Sequence, residues 1–374
     1  MLHIDPKYRW LRADFHNHCE RHELLDEYLF GANERLDLLA MSNHGQKPIF
    51  REQPEMLTQA RKHLAIPMLF GVEWNAPLGN HACVIFPAGD EEARDAFRLM
   101  DLCDRGVVGP NANALLGLEM LAGLPTASRP IIIFNHPHGQ WSTDAIDQYL
   151  AWDTTGHMVV GLEAINGHPA GVQTNPDTYD GCRVGGLLDH VYQQGRPFSV
   201  CANSDFHVHK QRQYYDYPLG VFNRTLIGVV KDGDPARGAF EALRQGRTWA
   251  VSGDWFTPIA FEVGAASMGE YWDSAASVSE ITLSFNTTTP VHAELIGVLQ
   301  NGDSPCVLRD LGVVDDGDVT LTTNLPRHAS GYVRARLQTV SDMRPPLPDG
   351  VAGKLATGPS QAYSSAIFFK AGSA

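Results

Sequence analysis

Up to about residue 253, short apolar runs alternate with amphipathic stretches. The runs 11–15, 36–42, 67–72, 82–86, 130–134, 159–165, 197–201 and 248–251 are mostly bounded by Gly, Pro or Asn and read as strands. Between many of them, the stretches 23–35, 55–63, 91–105, 143–152, 184–194 and 235–245 carry apolar residues at three- and four-residue spacing and read as helices. The alternation predicts an α/β layer architecture with a largely parallel sheet. The number of strands fits a barrel better than an open sheet.

After Gly253 the helical pattern stops. Short alternating runs at 259–263, 280–285, 293–299, 319–323, 332–337 and 366–370 are separated by turn residues and predict a small all-β sandwich. The stretch 343–359 is rich in Pro and Gly and reads as a long surface loop. The pattern therefore divides the chain into residues 1–253 and 254–374.

Composition narrows the class. Of 374 residues, 43% are hydrophobic and 19% charged, ordinary values for a soluble globular protein. No apolar run is long enough to span a bilayer, and residues 1–12 lack the apolar core of a signal peptide. The six cysteines are scattered with no CxxC pair, which suits reduced thiols in a cytoplasmic protein. The net charge is −14 with no Lys/Arg cluster, which argues against nucleic acid as a partner. The expected partner is a small molecule, with no membrane association; assembly into a homo-oligomer is left open.

The chemistry lies in where histidines and acids fall. His16 and His18 follow the first strand; His44 closes the second and Glu73 the third. His136 and His138 close a later strand, Glu163 ends Gly-Leu-Glu-Ala-Ile-Asn, and Asp205 and His207 end Cys-Ala-Asn-Ser-Asp-Phe-His. In parallel α/β folds the C-terminal strand ends gather on one face, so these side chains would converge. Residues two apart in an extended segment point the same way, so His16/His18 and Asp205/His207 would each offer two donors to one cavity. Imidazole suits Zn, Fe and Mn, and a carboxylate can bridge two ions. Glu163 reads as a residue that orients a ligand rather than binding metal. Cys19 and Cys201 read as structural.

The ordered set Asp14-x-His16-x-His18, Asn43-His44, Gly71-Val-Glu73, Asn80-His81, Asn135-His136-Pro137 and Asn203-Ser-Asp205-x-His207 resembles the PHP (polymerase and histidinol phosphatase) family over about residues 10–253. The tail is similar to the β-sandwich behind PHP domains in some bacterial members, through Leu243-Arg-Gln-Gly-Arg-Thr-Trp-Ala-Val-Ser-Gly253 and Ala362-Tyr-Ser-Ser-Ala-Ile367. The resemblance implies a distorted seven-stranded βα barrel followed by a sandwich, with two or three divalent transition metal ions (Zn, Fe or Mn). It implies a first metal on His16, His18, Glu73 and Asp205. Glu73 would bridge to a second on His81 and His136. A third would take His44, His207 and one more ligand, for which His22 and Glu23 are candidates. The chain departs from the family in having Asn43 where an acid usually precedes the strand-2 histidine.

Such a cluster lowers the pKa of bound water and supplies hydroxide at neutral pH. The expectation is a metal-dependent phosphoesterase acting on a small phosphorylated molecule, with Glu73, His207 and His138 in the catalytic machinery. Arg12, Lys47, Arg51, Lys210 and Arg212 are the basic residues nearest the motifs; Arg12, Lys210 and Arg212 are candidates for holding the substrate's anion. Two other readings stay open: hydrolysis of a C–N or C–O bond on the same metals, and a binding protein without catalysis.

Overall fold

A computed structural model describes residues 7–104, 110–137, 141–155, 157–167, 181–207, 216–231, 234–273, 279–300, 302–343 and 359–370. The chain is mixed α/β, built mostly from strands and dominated by one large sheet. Among the described residues no helix is long and apolar enough to cross a membrane.

The strands before residue 253 are β1 (Tyr8–Asp14), β2 (Leu38–Met41), β3 (Met68–Asn75), β4 (His81–Phe86), β5 (Ile131–Phe134), β6 (Val159–Asn166), β7 (Ser199–Asn203), β8 (Asn223–Val230) and β9 (Thr248–Ser252). They lie side by side in the order β9-β8-β1-β2-β3-β4-β5-β6-β7. The expectation of a largely parallel sheet fails. β1-β2-β3 and β5-β6-β7 run parallel, but β4 is antiparallel to both β3 and β5, and β8 to both β1 and β9. The cause at β4 is local: residues 76–80 are too few for a crossover, so the chain can only turn back.

Among these strands before residue 253, β8 is the one that the hydrophobic pattern does not reveal; Cys306–Val314 and Gln361–Ser364 are missed after it. β8 opens with Asn223, Arg224 and Thr225 and carries Gly228, so although buried to Val229 it offers no unbroken apolar run. The helices are α1 (Leu25–Leu29), α2 (Ala32–Arg35), α3 (Gln53–His63), α4 (Glu92–Asp104), α5 (Pro110–Ala122), α6 (Thr143–Trp152), α7 (Leu187–Gln193) and α8 (Pro235–Arg244). The single helix expected over 23–35 breaks at Gly31, whose φ of 71° is left-handed. α5 was not expected, because its apolar residues run round the helix with little polar contrast.

The period of two along each strand explains both cores and the site. Leu11 and Ala13, Leu38 and Ala40, Leu69, Cys83 and Ile85, Ile131 and Ile133, Cys201, Ile227 and Val229 share one apolar cluster, closed by Ala239, Phe240 and Leu243 of α8. Their neighbours in sequence, such as Leu39, Phe70, Val84 and Ile132, face the helices in a second cluster. β7 returns beside β8 and β9. The Val200 amide donates to Thr248 Oγ1 (2.9 Å) and the Ala202 amide to Thr225 Oγ1 (3.0 Å). The parity that sends Leu69 inward also sends Glu73 inward, and likewise His81, Asn135 and Asn203 on their strands. The inner column thus turns from apolar to polar at one rim.

Beyond residue 253 the described residues form strands and no helix. Besides two short ones, Ala266–Ser267 and Tyr271–Asp273, these strands are β10 (Phe256–Val263), β11 (Ser279–Thr287), β12 (Val291–Val298), β13 (Cys306–Val314), β14 (Gly317–Leu325), β15 (Gly331–Thr339), β16 (Gln361–Ser364) and β17 (Ile367–Lys370). β10, β11 and β14 make a second sheet; β12, β13, β15, β16 and β17 extend the large one through the β16–β9 ladder, Trp249↔Ser364 to Val251↔Ala362. One apolar cluster lies between the two sheets and includes Phe261, Leu283, Leu295 and Leu337 together with Leu226 and Trp249 from β8 and β9. The expected loop at 343–359 falls almost wholly outside the described residues.

Candidate metal centre

Two turns carry most of the donors. After β1 the chain makes the pair Asn17↔Phe206 and His18↔His207 in parallel with the segment after β7, and the Asp205 amide donates to His16 O at 2.7 Å. Buried Asp14 ties the turns together, accepting from the amides of His16 and Ser204 and from Asn17 Nδ2. Burial pushes its carboxyl up to about 6, against the pull of those bonds. Asp205 and His136 both hold left-handed backbone, φ 48° and 27°, unusual for residues with a Cβ. Strain of this kind persists where surrounding contacts over-determine it.

Glu73 is at the centre. Its Oε1 lies 2.7 Å from His81 Nδ1, 3.0 Å from His16 Nε2 and 3.3 Å from His136 Nε2; its Oε2 lies 2.8 Å from His44 Nδ1 and 3.3 Å from His18 Nε2. β4 explains His81: because it runs antiparallel to β3, its first residue, opposite Asn75, reaches the same rim. Asp205 Oδ1 approaches His18 Nε2 (3.1 Å) and His16 Nε2 (3.2 Å). His207 stacks on His18 with ring centroids 4.2 Å apart and stands near Asp216, Nδ1 to Oδ2 at 3.4 Å.

A further layer fixes these donors. Glu163 Oε1 takes His16 Nδ1 at 2.7 Å, and its Oε2 accepts the His136 amide at 2.7 Å. Asn203 donates to Glu163, and Asn166 to both Glu163 and Asp205. Asn135 accepts the Cys83 amide and donates to Glu73 at 3.1 Å. With Nδ1–H given to Glu163, His16 presents the lone pair of Nε2 to the cluster.

The donors fit divalent cations. His18/His44/His207, His16/Glu73/His136, His16/His18/Asp205 and His44/Glu73/His81 each bring three donor atoms within 4.8 Å of one another. His44 Nδ1 and Glu73 Oε2 are close yet misaligned for a hydrogen bond, and both are buried without a hydrogen-bond partner, as is His18 Nδ1. Buried lone pairs that face one another in this way call for a shared cation. The partners of the three buried carboxylates Glu73, Glu163 and Asp205 are imidazoles, amides and a backbone N–H. A set of nitrogen and oxygen donors without thiolate suits Zn, Fe or Mn.

His16, His18, His44, Glu73, His81, His136, Asp205 and His207 are thus brought together. His44 approaches Glu73 more closely than the grouping with His207 alone implied. His22 is not in the cluster: its Nε2 lies 3.0 Å from Gln59 Oε1, and neither it nor Glu23 joins any of the donor groups. Arg12 is also elsewhere. It makes a two-pronged pair with Asp37, so it is not the free anion-holding residue expected of it. Lys47 pairs with Glu20, and Arg51 with Asp101. His138, Lys210 and Arg212 lie outside the described residues. Asp216 and Asn166 were not anticipated and carry no motif. Asn135 and Asn203 stood inside the motifs, one residue before His136 and two before Asp205 respectively, and that position was the available signal. His292 pairs with Asp310, far along the chain from the cluster.

No family model matches the chain, and no curated protein matches it. Among solved structures it is similar to a crystal structure from Bifidobacterium adolescentis described provisionally as a metal-dependent phosphoesterase. The likeness has 14% identity and a TM-score of 0.33, over 53% of this chain and 88% of that one, and carries no argument about fold or activity.

Proposed function

We propose that the chain is a metal-dependent hydrolase of phosphate esters, with His16, His18, Glu73, Asp205, His81 and His136 holding two ions and His44 and His207 at the edge of a third position. The observation that carries it is Glu73, whose two oxygens lie between five imidazoles. A carboxylate so placed is suited to bridging ions. Bound divalent ions would activate water for attack on phosphorus and hold the charge that develops on the ester oxygens. The chain's own part is positional. Glu163 and Asn135 fix the tautomer of His16 and the carboxylate of Glu73. Where His207 is protonated rather than bound to a third ion, it lies between Asp205 and Asp216 and would give the leaving group its proton.

The finer architecture belongs to the same proposal: a PHP-like barrel over residues 1–253, distorted by antiparallel β4, and a β-sandwich over 254–374. The curling of β7 back to β8 and β9 supports the first, and the shared core of the two C-terminal sheets supports the second. A second reading, hydrolysis of a C–N or C–O bond, is favoured by the commitment of Arg12 and Arg51 to other carboxylates. Turnover of phosphomonoesters, phosphodiesters, amides and lactones by metal-analysed protein separates them. Competitive inhibition by inorganic phosphate is expected; cleavage of amides or lactones, with no phosphate ester turned over, would refute the phosphoesterase reading.

A further inference from the structure

A groove of about 430 Å³ lies on the segments that leave two ligand-bearing strands, and Glu20, Arg21, His22, Glu23, Lys47 and Glu52 line it. Glu20 and Arg21 follow His18 by two and three residues, so they are at most about 7 to 11 Å of chain away from it. Lys47 closes a turn on His44, its amide donating to His44 O at 3.1 Å. Glu20 lies within electrostatic reach of His18 and His207. The groove therefore lies on segments adjacent to the edge of the cluster, with none of the clustered donors in its lining.

Its cations differ from the others near the motifs. Arg12 is locked on Asp37, and Arg51 pairs with Asp101 while stacking on Phe97. Arg21 is exposed, with no partner for its guanidinium among the described residues. Lys47 is 44% exposed and, among the described residues, pairs only with Glu20. Exposed pairs of this kind are weak, so another anion can take the place of Glu20 at little cost. The groove also contains the acids Glu23 and Glu52, so it is not a general anion patch. An anion gains there only where it reaches both Lys47 and Arg21.

We propose that this groove holds a second anionic group of the substrate, with Lys47 and Arg21 as its binding residues, while the reacting group lies on the metal cluster. The substrate is then a compound with two separated anionic groups. This deepens the phosphoesterase reading and rests on it for the identity of the reacting group.

Binding can be read without turnover. Calorimetry on the metal-loaded chain compares methylphosphonate with butane-1,4-bisphosphonate, whose two anions are separated by four carbons; neither is an ester. The bisphosphonate should bind at least about tenfold more tightly, as two charge-assisted contacts allow. Lys47→Ala and Arg21→Ala should each remove most of that preference, leave methylphosphonate within about twofold and leave metal content unchanged. Lys47→Arg should restore it in part, and Arg51→Ala should change nothing. In kinetics, 4-carboxyphenyl phosphate should lose its lower KM relative to phenyl phosphate in Lys47→Ala, with kcat kept. A preference that is absent from the parent chain, or unchanged in both variants, overturns the proposal. If no phosphate ester is turned over but the Lys47-dependent preference persists, the phosphoesterase reading falls and the groove stands.

Discussion

His16 Nδ1 lies 2.7 Å from Glu163 Oε1, and that contact decides which nitrogen of His16 faces the cluster. Glu163 accepts through both oxygens, from His16, from the His136 amide, and from Asn166 and Asn203. It joins three strand ends whose side chains would otherwise be free to turn.

Glu163→Ala should therefore lower metal affinity by about 10- to 100-fold, the usual effect of removing a partner that orients a metal-binding histidine. Glu163→Gln keeps an acceptor for His16 and should recover part of the loss. Metal-titration calorimetry on both variants checks this. Equal affinity in the parent chain and Glu163→Ala would show that His16 needs no such support.

Glu73→Gln should be worse than any single histidine substitution. An amide loses the charge that faces five imidazoles and cannot bridge two ions as a carboxylate does. Elemental analysis after chelator-free purification should find at least two equivalents of Zn, Fe or Mn in the parent and fewer than one in Glu73→Gln. His207→Ala, at the edge of the group, should keep most of the metal. Comparable loss in both variants would remove Glu73 from its central role.

Much of this site was legible because period two is a strong rule. His16/His18 and Asp205/His207 had to point together once their segments were extended, and strand ends had to gather. Lys47 stood among the basic residues nearest the motifs, but Arg21 and Asp216 were not legible near the site. They come from turns whose direction is set by tertiary contacts, such as the amide of His207 on Asp216. β8 was hidden because its buried Asn223, Arg224 and Thr225 interrupt the apolar run that marked the other strands.

The effect of pH should differ with and without metal. In the metal-free chain burial disfavours a charged His16, but Asp205, Glu163 and Glu73 outweigh it and raise its pKa well above 6.5. A raised histidine contributes stability that is fully present below its unfolded value and lost as pH rises through the folded one. Glu73 is shifted the other way, well below 4.5: burial opposes its ionisation, and His16 leads the groups that overcome this. Its contribution is present above that value and lost on acidification. Metal needs neutral His16 and so competes with the proton. The rise in Tm on adding Zn or Mn should grow from about pH 6 to about pH 9. A constant rise across that range would mean that no proton leaves His16 on binding.

The last test concerns how the C-terminal strands hold to the rest. Arg334 of β15 is fully buried and clamps Asp189 of α7 through Nε at 2.7 Å and its second nitrogen at 2.9 Å, while also donating to Cys182 O. Asp189 also accepts from the Gly185 amide at 2.8 Å. Breaking such a pair from one side leaves a buried charge and costs about 3 to 5 kcal/mol. Asp189→Leu should reach the upper part of that range, because the buried guanidinium then keeps backbone carbonyls but no counter-charge. Arg334→Met should cost less, because Gly185 still serves the carboxylate. The double variant, with no charge left to bury, should recover most of the loss. Denaturant unfolding measures all three, and metal content should not change, since neither residue belongs to the donor groups. If the losses simply add, the pair acts as two independent residues. If the double variant recovers, the clamp is one unit, and the strands after residue 253 and the helix before it unfold together.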